Sequence, residues 1–201
     1  MSWIKEISYE AAKGQLKKLY ERVKGPNNQI DNVLSVHSLR PHSLLGHMTL
    51  YKNVLHNRNN SLEKWYLEAL GVYVSFLNAC EYCVSHHYEG LKRLLADDLE
   101  SEKFIQAVRT DQMQTVFEGR ELAGFSYARK LTKEPSRIVE REISDLRSAG
   151  FSDGEILEIN QVVSYFNYVN RSVLGLGVNT EGEILGLSPG DSEDPENWGH
   201  E

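Results

Sequence analysis

The chain has 201 residues, of which 40% are hydrophobic and 25% charged, a composition typical of one globular domain with a hydrophobic core. The net charge is −7 and the basic residues are spread singly, so we predict no nucleic-acid binding. Two cysteines are too few for a secreted disulfide scaffold, and the N-terminus has no apolar run resembling a signal peptide, which predicts a cytoplasmic protein.

Helix-start and helix-stop residues recur from end to end of the sequence, and the patterns of β-hairpins are absent, which predicts an all-α fold. Predicted helices cover residues 8–24, capped by Ser8, residues 30–39, and residues 41–55. A fourth helix opens at a capping-box variant of Asn60 and Glu63 and is apolar nearly all round. It belongs at the centre of a bundle and is too short and polar for a membrane span.

The second half of the chain continues as helices after a break near Asn78. They cover residues 80–95, 100–109, 119–131 and 135–149, and a capping box of Ser152 with Glu155 opens a last helix to Leu174. The short loops between them indicate that residues 1–174 form a single all-α domain. Residues 175–201, rich in glycine and acidic residues, predict an extended C-terminal arm whose few apolar residues can dock on a neighbour.

The two cysteines form a C-x-x-C motif, Cys80 and Cys83, with His87 four residues after the second. On a helix these three side chains make one continuous stripe. A cysteine at a helix start is favoured as thiolate, and His87 can act as general base toward Cys83. Because the thiols lie one turn apart, they can close a disulfide and so resolve an oxidised sulfur.

Glu68 is the only charged side chain between Lys64 and Glu81, in the middle of the apolar fourth helix. Its carboxylate must be paired, or its pKa must rise. Beside a cysteine and a histidine, such a group completes a proton relay, and we predict this role for Glu68. A structural pairing with Lys64, one turn earlier, is the alternative.

Other uses of the motif stay open at this point. The thiols could be buried structural residues, or Cys80, Cys83 and His87 could supply three zinc ligands, although a closed zinc site needs a fourth. We predict no metal and no cofactor. His86 points away from His87 around the helix and is expected at a surface or an interface. Surface or pocket positions are also expected for four further histidines, namely His37, His42, His47 and His56.

The order Glu68, Cys80-x-x-Cys83, His87 resembles the AhpD-like alkylhydroperoxidase group of the carboxymuconolactone decarboxylase superfamily, and in particular its peroxidase-related branch. The resemblance covers most of the chain and includes residues 165–178. It implies an all-α fold, thiol-dependent reduction of hydroperoxides and assembly into homo-oligomers, trimers or hexamers. It gives Glu68, Cys80, Cys83 and His87 the proton-relay and redox roles. Where some members carry a histidine between the cysteines, this chain has Tyr82.

The resulting hypothesis is a thiol-dependent peroxidase. His87, supported by Glu68, deprotonates Cys83, which attacks the hydroperoxide; Cys80 then closes a disulfide, and an external dithiol donor, thioredoxin-like or lipoyl-type, reduces it. The helix dipole favours Cys80 as the first thiolate, whereas the nearby base favours Cys83. Two alternatives are a carboxymuconolactone-decarboxylase-like lyase with incidental cysteines and a non-catalytic redox-sensing oligomer.

Overall fold

The computed structural model describes residues 2–190 and 198–200, and the secondary structure of these residues is almost entirely helical, as predicted. A β-bridge joins Pro189 to His200. Short 3-10 turns lie at Pro26–Asn28, Met113–Thr115 and Pro135–Arg137. The α-helices are α1 (Gly14–Val23), α2 (Asn32–Ser35), α3 (Pro41–Leu55), α4 (Lys64–Leu77), α5 (Glu81–Leu95), α6 (Asp98–Arg109), α7 (Gly119–Lys133), α8 (Glu140–Ser148) and α9 (Asp153–Leu176).

Helix α4 is the centre of the bundle, which confirms the interpretation of its apolar circumference. It packs against α3, α5, α6, α7 and α9, and eleven of its fourteen residues are buried. A close approach to α9 depends on Gly71, because a Cβ at this position would lie 2.2 Å from the ring of Phe166. The glycine therefore lets the Phe166 ring lie directly on the α4 backbone.

Two predicted helix starts are wrong for local reasons. The first helix begins at Gly14, because Ser8 caps only an isolated turn, in which its Oγ accepts from the Ala11 amide at 3.3 Å, and Gly14 then takes φ +56. The capping box expected before α4 does not form. Instead, Asn60 donates to the Val54 carbonyl at the end of α3.

Other boundaries shift by smaller amounts. The second predicted helix shrinks to the single turn of α2, and α8 begins at Glu140 after a 3-10 turn. The capping box that opens α9 is confirmed, since Ser152 Oγ accepts from the Glu155 amide while the Glu155 carboxylate accepts from the Ser152 amide. Helix α9 runs two residues past its predicted end and stops at Gly177 with φ +64.

The described residues after α9, 177–190 and 198–200, fold back over the bundle. Trp198 is buried beneath the Arg22 guanidinium, which lies 3.6 Å from the ring centroid, and Lys52 donates to the Gly190 carbonyl. The described part of the predicted arm thus lies against the domain rather than free of it. The domain boundary at residue 174 stays a prediction, and residues 191–197 and 201 lie outside the described residues.

Within the part of the chain that the structure describes, no helix is both long enough and apolar enough to cross a membrane.

Candidate active site

The corner between α4 and α5 places the two cysteines. Ala79 adopts φ +56, which ends α4 sharply and turns the chain into α5. The Cys80 amide donates to the Ser75 carbonyl at 2.9 Å, and the Cys80 carbonyl accepts the first helical hydrogen bond of α5, from Val84. Cys80 is therefore the N-cap of α5 and Cys83 lies in its first turn, as the sequence predicts.

The two thiols are reduced and buried, with their sulfur atoms 3.1 Å apart. The pKa of Cys80 is lowered, because the hydrogen bond from the Cys83 thiol, aided by the Cys83 backbone amide, outweighs burial. Burial raises the pKa of Cys83, and the neighbouring Cys80 adds to this effect. When the pair loses one proton, the charge thus rests on Cys80 while Cys83 keeps its hydrogen.

Asn170 of α9 supports the pair from the opposite side. It is fully buried, donates to Ser75 Oγ at 3.0 Å and accepts from the Asn78 side chain at 3.0 Å. Its amide also lowers the pKa of both thiols. Sequence reasoning did not single out Asn170. The pattern that points to it is a single amide side chain among the apolar residues that α9 buries.

Glu68 is paired with His87, as the relay hypothesis requires. Glu68 Oε2 lies 2.7 Å from His87 Nδ1, and both side chains are largely buried. Burial raises the pKa of Glu68, but the charge and hydrogen bond of His87, with help from His56, hold it below its ordinary value. Lys64, the alternative partner, adds only a weaker attraction.

The hydrogen bond to Glu68 selects the tautomer of the neutral His87 ring. A carboxylate can only accept, so Nδ1 carries the hydrogen and Nε2 is left with a lone pair. The Phe166 ring packs edge-on against the imidazole, with centroids 4.7 Å apart, and holds its orientation. The arrangement is that of a general base whose direction is set by a carboxylate.

A cavity of about 50 Å³ is lined by the Glu68–His87 pair and by one thiol. Cys83, Glu68 and His87 line it, and residues 186–188 of the chain after α9 form part of its wall. This volume holds only a few water molecules or a small substrate. Cys80 lines a different depression of about 260 Å³, beside Val173 and Asn179. The two thiols therefore face different spaces.

Tyr82, the residue between the cysteines, ties the motif helix to the chain after α9. Its hydroxyl donates to the buried Glu183 carboxylate at 2.8 Å and accepts from the Val33 amide at 3.1 Å. His86 lies 3.3 Å from the same carboxylate and lines the cavity, so its expected surface position is wrong. Neither residue replaces a member of the Glu68–His87 pair.

Two more histidines line the cavity. His200 Nδ1 lies 2.7 Å from Asp31 Oδ2, and His47 stands on the neighbouring wall from α3. Burial lowers the pKa of His47 to about 3, so this imidazole is neutral. Sequence reasoning left His47 as a surface or pocket residue and did not consider Asp31 or His200.

Among the described residues, no group of three or more cysteine, histidine or acidic side chains is arranged to hold a metal ion. The zinc alternative for Cys80, Cys83 and His87 therefore has no geometric support in this part of the chain.

Comparison with solved structures identifies the fold of the chain. No family model and no curated protein matches the chain. Among solved structures, it is similar to the alkylhydroperoxidase AhpD core of an uncharacterized peroxidase-related protein from Ralstonia eutropha, with 21% identity over 89% of this chain and 91% of the other, at a TM-score of 0.76. An uncharacterized peroxidase-related protein from Silicibacter matches at 23% identity over 88% and 87%, with a TM-score of 0.72.

A third similar structure is the debrominase Bmp8, at 16% identity over 88% of this chain and 91% of the other, with a TM-score of 0.70. These likenesses show that the chain has the AhpD-like fold.

Proposed function

We propose that the protein is a thiol-dependent peroxidase that reduces a small hydroperoxide with the Cys80–Cys83 pair. The observation that carries this proposal is one cavity lined by Cys83 and by the hydrogen-bonded pair of Glu68 and His87. A nucleophile, a base and a carboxylate that orients the base are the minimum set for activating a thiol.

In the oxidation step, His87 Nε2 takes one proton from the thiol pair. Cys83 attacks the terminal oxygen of the hydroperoxide while its remaining proton passes to Cys80, 3.1 Å away. The O–O bond breaks and the alkoxide leaves as the alcohol after taking up a proton equivalent to the one that the pair gave up. The sulfur loses two electrons and the hydroperoxide gains them, which leaves Cys83 as a sulfenic acid.

In the resolving step, the Cys80 sulfur attacks the sulfenic sulfur of Cys83 and water leaves. A disulfide needs the two sulfur atoms to approach from 3.1 Å to about 2.05 Å, a small movement for neighbours on one helical turn. An external dithiol, thioredoxin-like or lipoyl-type, then reduces the disulfide by thiol exchange.

Cys83 is assigned as the attacking thiol because it lines the cavity with the base, whereas Cys80 lines a separate depression. The resolving role falls to Cys80 because its sulfur lies 3.1 Å from that of Cys83.

The proposal also includes assembly into a cytoplasmic homo-oligomer, a trimer or hexamer. Exposed apolar side chains support it, since α9 leaves Leu157, Tyr168 and Leu174 between 42% and 59% exposed. These side chains are available for contact with a second copy of the chain. Light scattering coupled to size exclusion measures the oligomer number, and a monomer at micromolar concentration would contradict this part of the proposal.

The decisive experiment is intact mass before and after one equivalent of hydrogen peroxide, followed by turnover with a dithiol donor. We expect a loss of two mass units without an adduct. Cys80→Ser should stop at a sulfenic acid that dimedone traps, and Cys83→Ser should not react. Wild-type turnover by Cys83→Ser would overturn the assignment. Activity on a lactone that survives alkylation of both thiols would favour a lyase, and oxidation without turnover would favour a sensor.

A second candidate is reductive removal of bromine from a small aromatic ring. The cavity favours it because two of its walls are the stacked rings of Tyr51 and Tyr165, 5.5 Å apart, and one similar structure is a debrominase bound to 2,3,4-tribromopyrrole. The dithiol supplies two electrons, so that carbon-bound bromine leaves as bromide, hydrogen replaces it and the thiols become a disulfide. Bromide release from a bromopyrrole in the presence of dithiothreitol tests it.

A further inference from the structure

We infer that Asp31 and His200 form a second acid–base pair of the cavity, and that His200 protonates the oxygen that leaves when the hydroperoxide bond breaks. This inference rests on the proposed peroxidase function and adds an acid to its site.

The geometry of the pair repeats that of Glu68 and His87. In both pairs a carboxylate oxygen lies 2.7 Å from Nδ1 of a histidine, and both histidines line the cavity that holds Cys83. The Asp31 and His200 side chains are at least nine-tenths buried. Since the carboxylate accepts the Nδ1 hydrogen, Nε2 is the atom of His200 that is left for a ligand.

His200 Nε2 is buried and has no hydrogen-bond partner among the described residues. Leaving a buried polar atom unsatisfied costs about 1–3 kcal/mol. His200 is one of the residues that line the cavity with Cys83, so a small ligand bound there can come within reach of this ring. A bound ligand that presents an oxygen to Nε2 removes the cost.

His47, on the neighbouring wall, has the same property, since its buried Nδ1 also has no partner in the described chain. It is neutral and has no carboxylate within the hydrogen bonds described, so it suits a ligand contact rather than proton donation. Two unsatisfied nitrogens on walls shared with Cys83 indicate a polar ligand of a few heavy atoms, as a small hydroperoxide is.

The position of His200 is fixed by its surroundings. Trp198 is buried two residues earlier, and His200 is bridged to Pro189. A ring held in this way can present Nε2 in one direction, which general acid catalysis requires. The other acidic and basic groups that line the cavity are Glu68, Cys83, His86, His87 and His47.

The proton balance gives the two pairs different tasks. Attack by Cys83 breaks the O–O bond, and the leaving alkoxide takes the Nε2 hydrogen of the His200 imidazolium and departs as the alcohol. The proton that His87 took from the thiols then restores His200 through cavity water. One equivalent of thiol proton therefore ends on the alcohol, and Cys83 ends as the sulfenic acid.

The test compares two oxidants of nearly the same size, ethyl hydroperoxide and peracetic acid. Ethoxide is a poor leaving group that needs a proton, whereas acetate leaves without one. His200→Asn keeps an N–H for Asp31 but removes Nε2, the ring nitrogen that has no partner among the described residues. We expect its thiol oxidation rate with ethyl hydroperoxide to fall about 100-fold or more, and its rate with peracetic acid to change by less than about threefold. Asp31→Asn should show a smaller loss with the same selectivity.

Docking of the chain end is followed separately by Trp198 fluorescence in a Trp3→Phe, Trp65→Phe background, and we expect it to be unchanged in His200→Asn. Equal losses with both oxidants, or no loss with either, would overturn the inference while leaving the peroxidase proposal intact. If His200→Asn does not fold, the selectivity of Asp31→Asn decides in the same way. A wild-type protein that reacts with neither oxidant would overturn the peroxidase proposal itself, and this inference with it.

Discussion

Glu68→Gln isolates the charge of the relay with almost no change of shape. The glutamine carbonyl can still accept from His87 Nδ1, so the ring keeps a hydrogen-bond partner at the site now 2.7 Å away. What is lost is the negative charge that stabilises the imidazolium formed when His87 takes a proton. The substitution therefore tests whether Glu68 acts electrostatically through His87.

The magnitude follows from the separation of the charges. A 2.7 Å contact between Oε2 and Nδ1 puts the two charge centres about 4 Å apart, where unit charges attract by about 4 kcal/mol at an effective dielectric constant of about 20. Tenfold in rate corresponds to about 1.4 kcal/mol, so full expression of this attraction in the transition state is about 10³-fold. We expect the rate of thiol oxidation to fall between about 10² and 10⁴-fold.

The assay is single-turnover oxidation of the reduced protein by ethyl hydroperoxide, quenched and counted by intact mass. Glu89→Gln, which removes a half-exposed carboxylate on α5, is the matched control and should react at the wild-type rate. His87→Gln and the double variant Glu68→Gln, His87→Gln complete a cycle. If Glu68 acts through His87, the double variant should be no slower than His87→Gln.

An unchanged rate in Glu68→Gln would refute the relay. Losses that multiply in the double variant would show that Glu68 and His87 act independently.

Three further predictions concern the surroundings of the site. Burial lowers the pKa of His47 from 6.5 to about 3, so between these pH values the unfolded chain binds a proton at His47 and the folded chain does not. The free energy of unfolding should therefore fall by up to about 5 kcal/mol as the pH drops from 6.5 to 3. Urea titrations at several pH values measure this, and in His47→Gln the free energy of unfolding should depend less on pH over this range. Gly71→Ala should lower the free energy of unfolding by about 2 kcal/mol and slow thiol oxidation, because the new methyl group displaces the Phe166 ring that packs on His87. A variant as stable as the wild type would contradict the close packing of Phe166 on Gly71. Tyr82→Phe removes the hydroxyl that donates to Glu183, so amide hydrogen exchange in residues 178–190 should become faster. The rate of thiol oxidation should stay within about threefold of the wild-type rate. A rate that falls as far as in Glu68→Gln would show that Tyr82 takes part in activating the thiol.

The part of the site that lies along the start of α5 was predictable because helix geometry determines most of it. Cys83 and His87 are four residues apart, so a helix through them puts both on one face, and Cys80 stands one turn before Cys83. The sequence did not show that Cys80, as the N-cap, lines a separate depression. Glu68 was predictable for a different reason, since a lone carboxylate in a central helix must find a partner. Which partner it finds depends on how α4 packs on α5, and the choice between His87 and Lys64 needed the structure.

The errors in the fold have similarly local causes. Ser8 and Asn60 are both good capping residues. Ser8 accepts from a backbone amide of an isolated turn, and Asn60 donates to a backbone carbonyl of the preceding helix α3. Capping residues predict that a helix end is near without saying which end they serve. Gly14, with its positive φ, decided where α1 begins, and nothing in its neighbours distinguishes it from a glycine inside a helix.

The second pair was out of reach for sequence reasoning because its contact joins residues 169 positions apart. Asp31 stands in front of a one-turn helix and His200 follows a segment rich in acids and glycine, so each taken alone has the pattern of a solvated residue. Only burial reveals them, since a carboxylate and an imidazole that are both withdrawn from water must compensate each other. On one side of the cavity lie Cys83 and His87, whose spacing along α5 a motif search detects. On the other side lie Asp31 and His200, which meet only because the chain folds back, and a motif search does not detect them. The selectivity between ethyl hydroperoxide and peracetic acid separates the two sides, because loss of the base slows thiol activation for both oxidants, whereas loss of the acid slows only the oxidant whose leaving oxygen needs a proton.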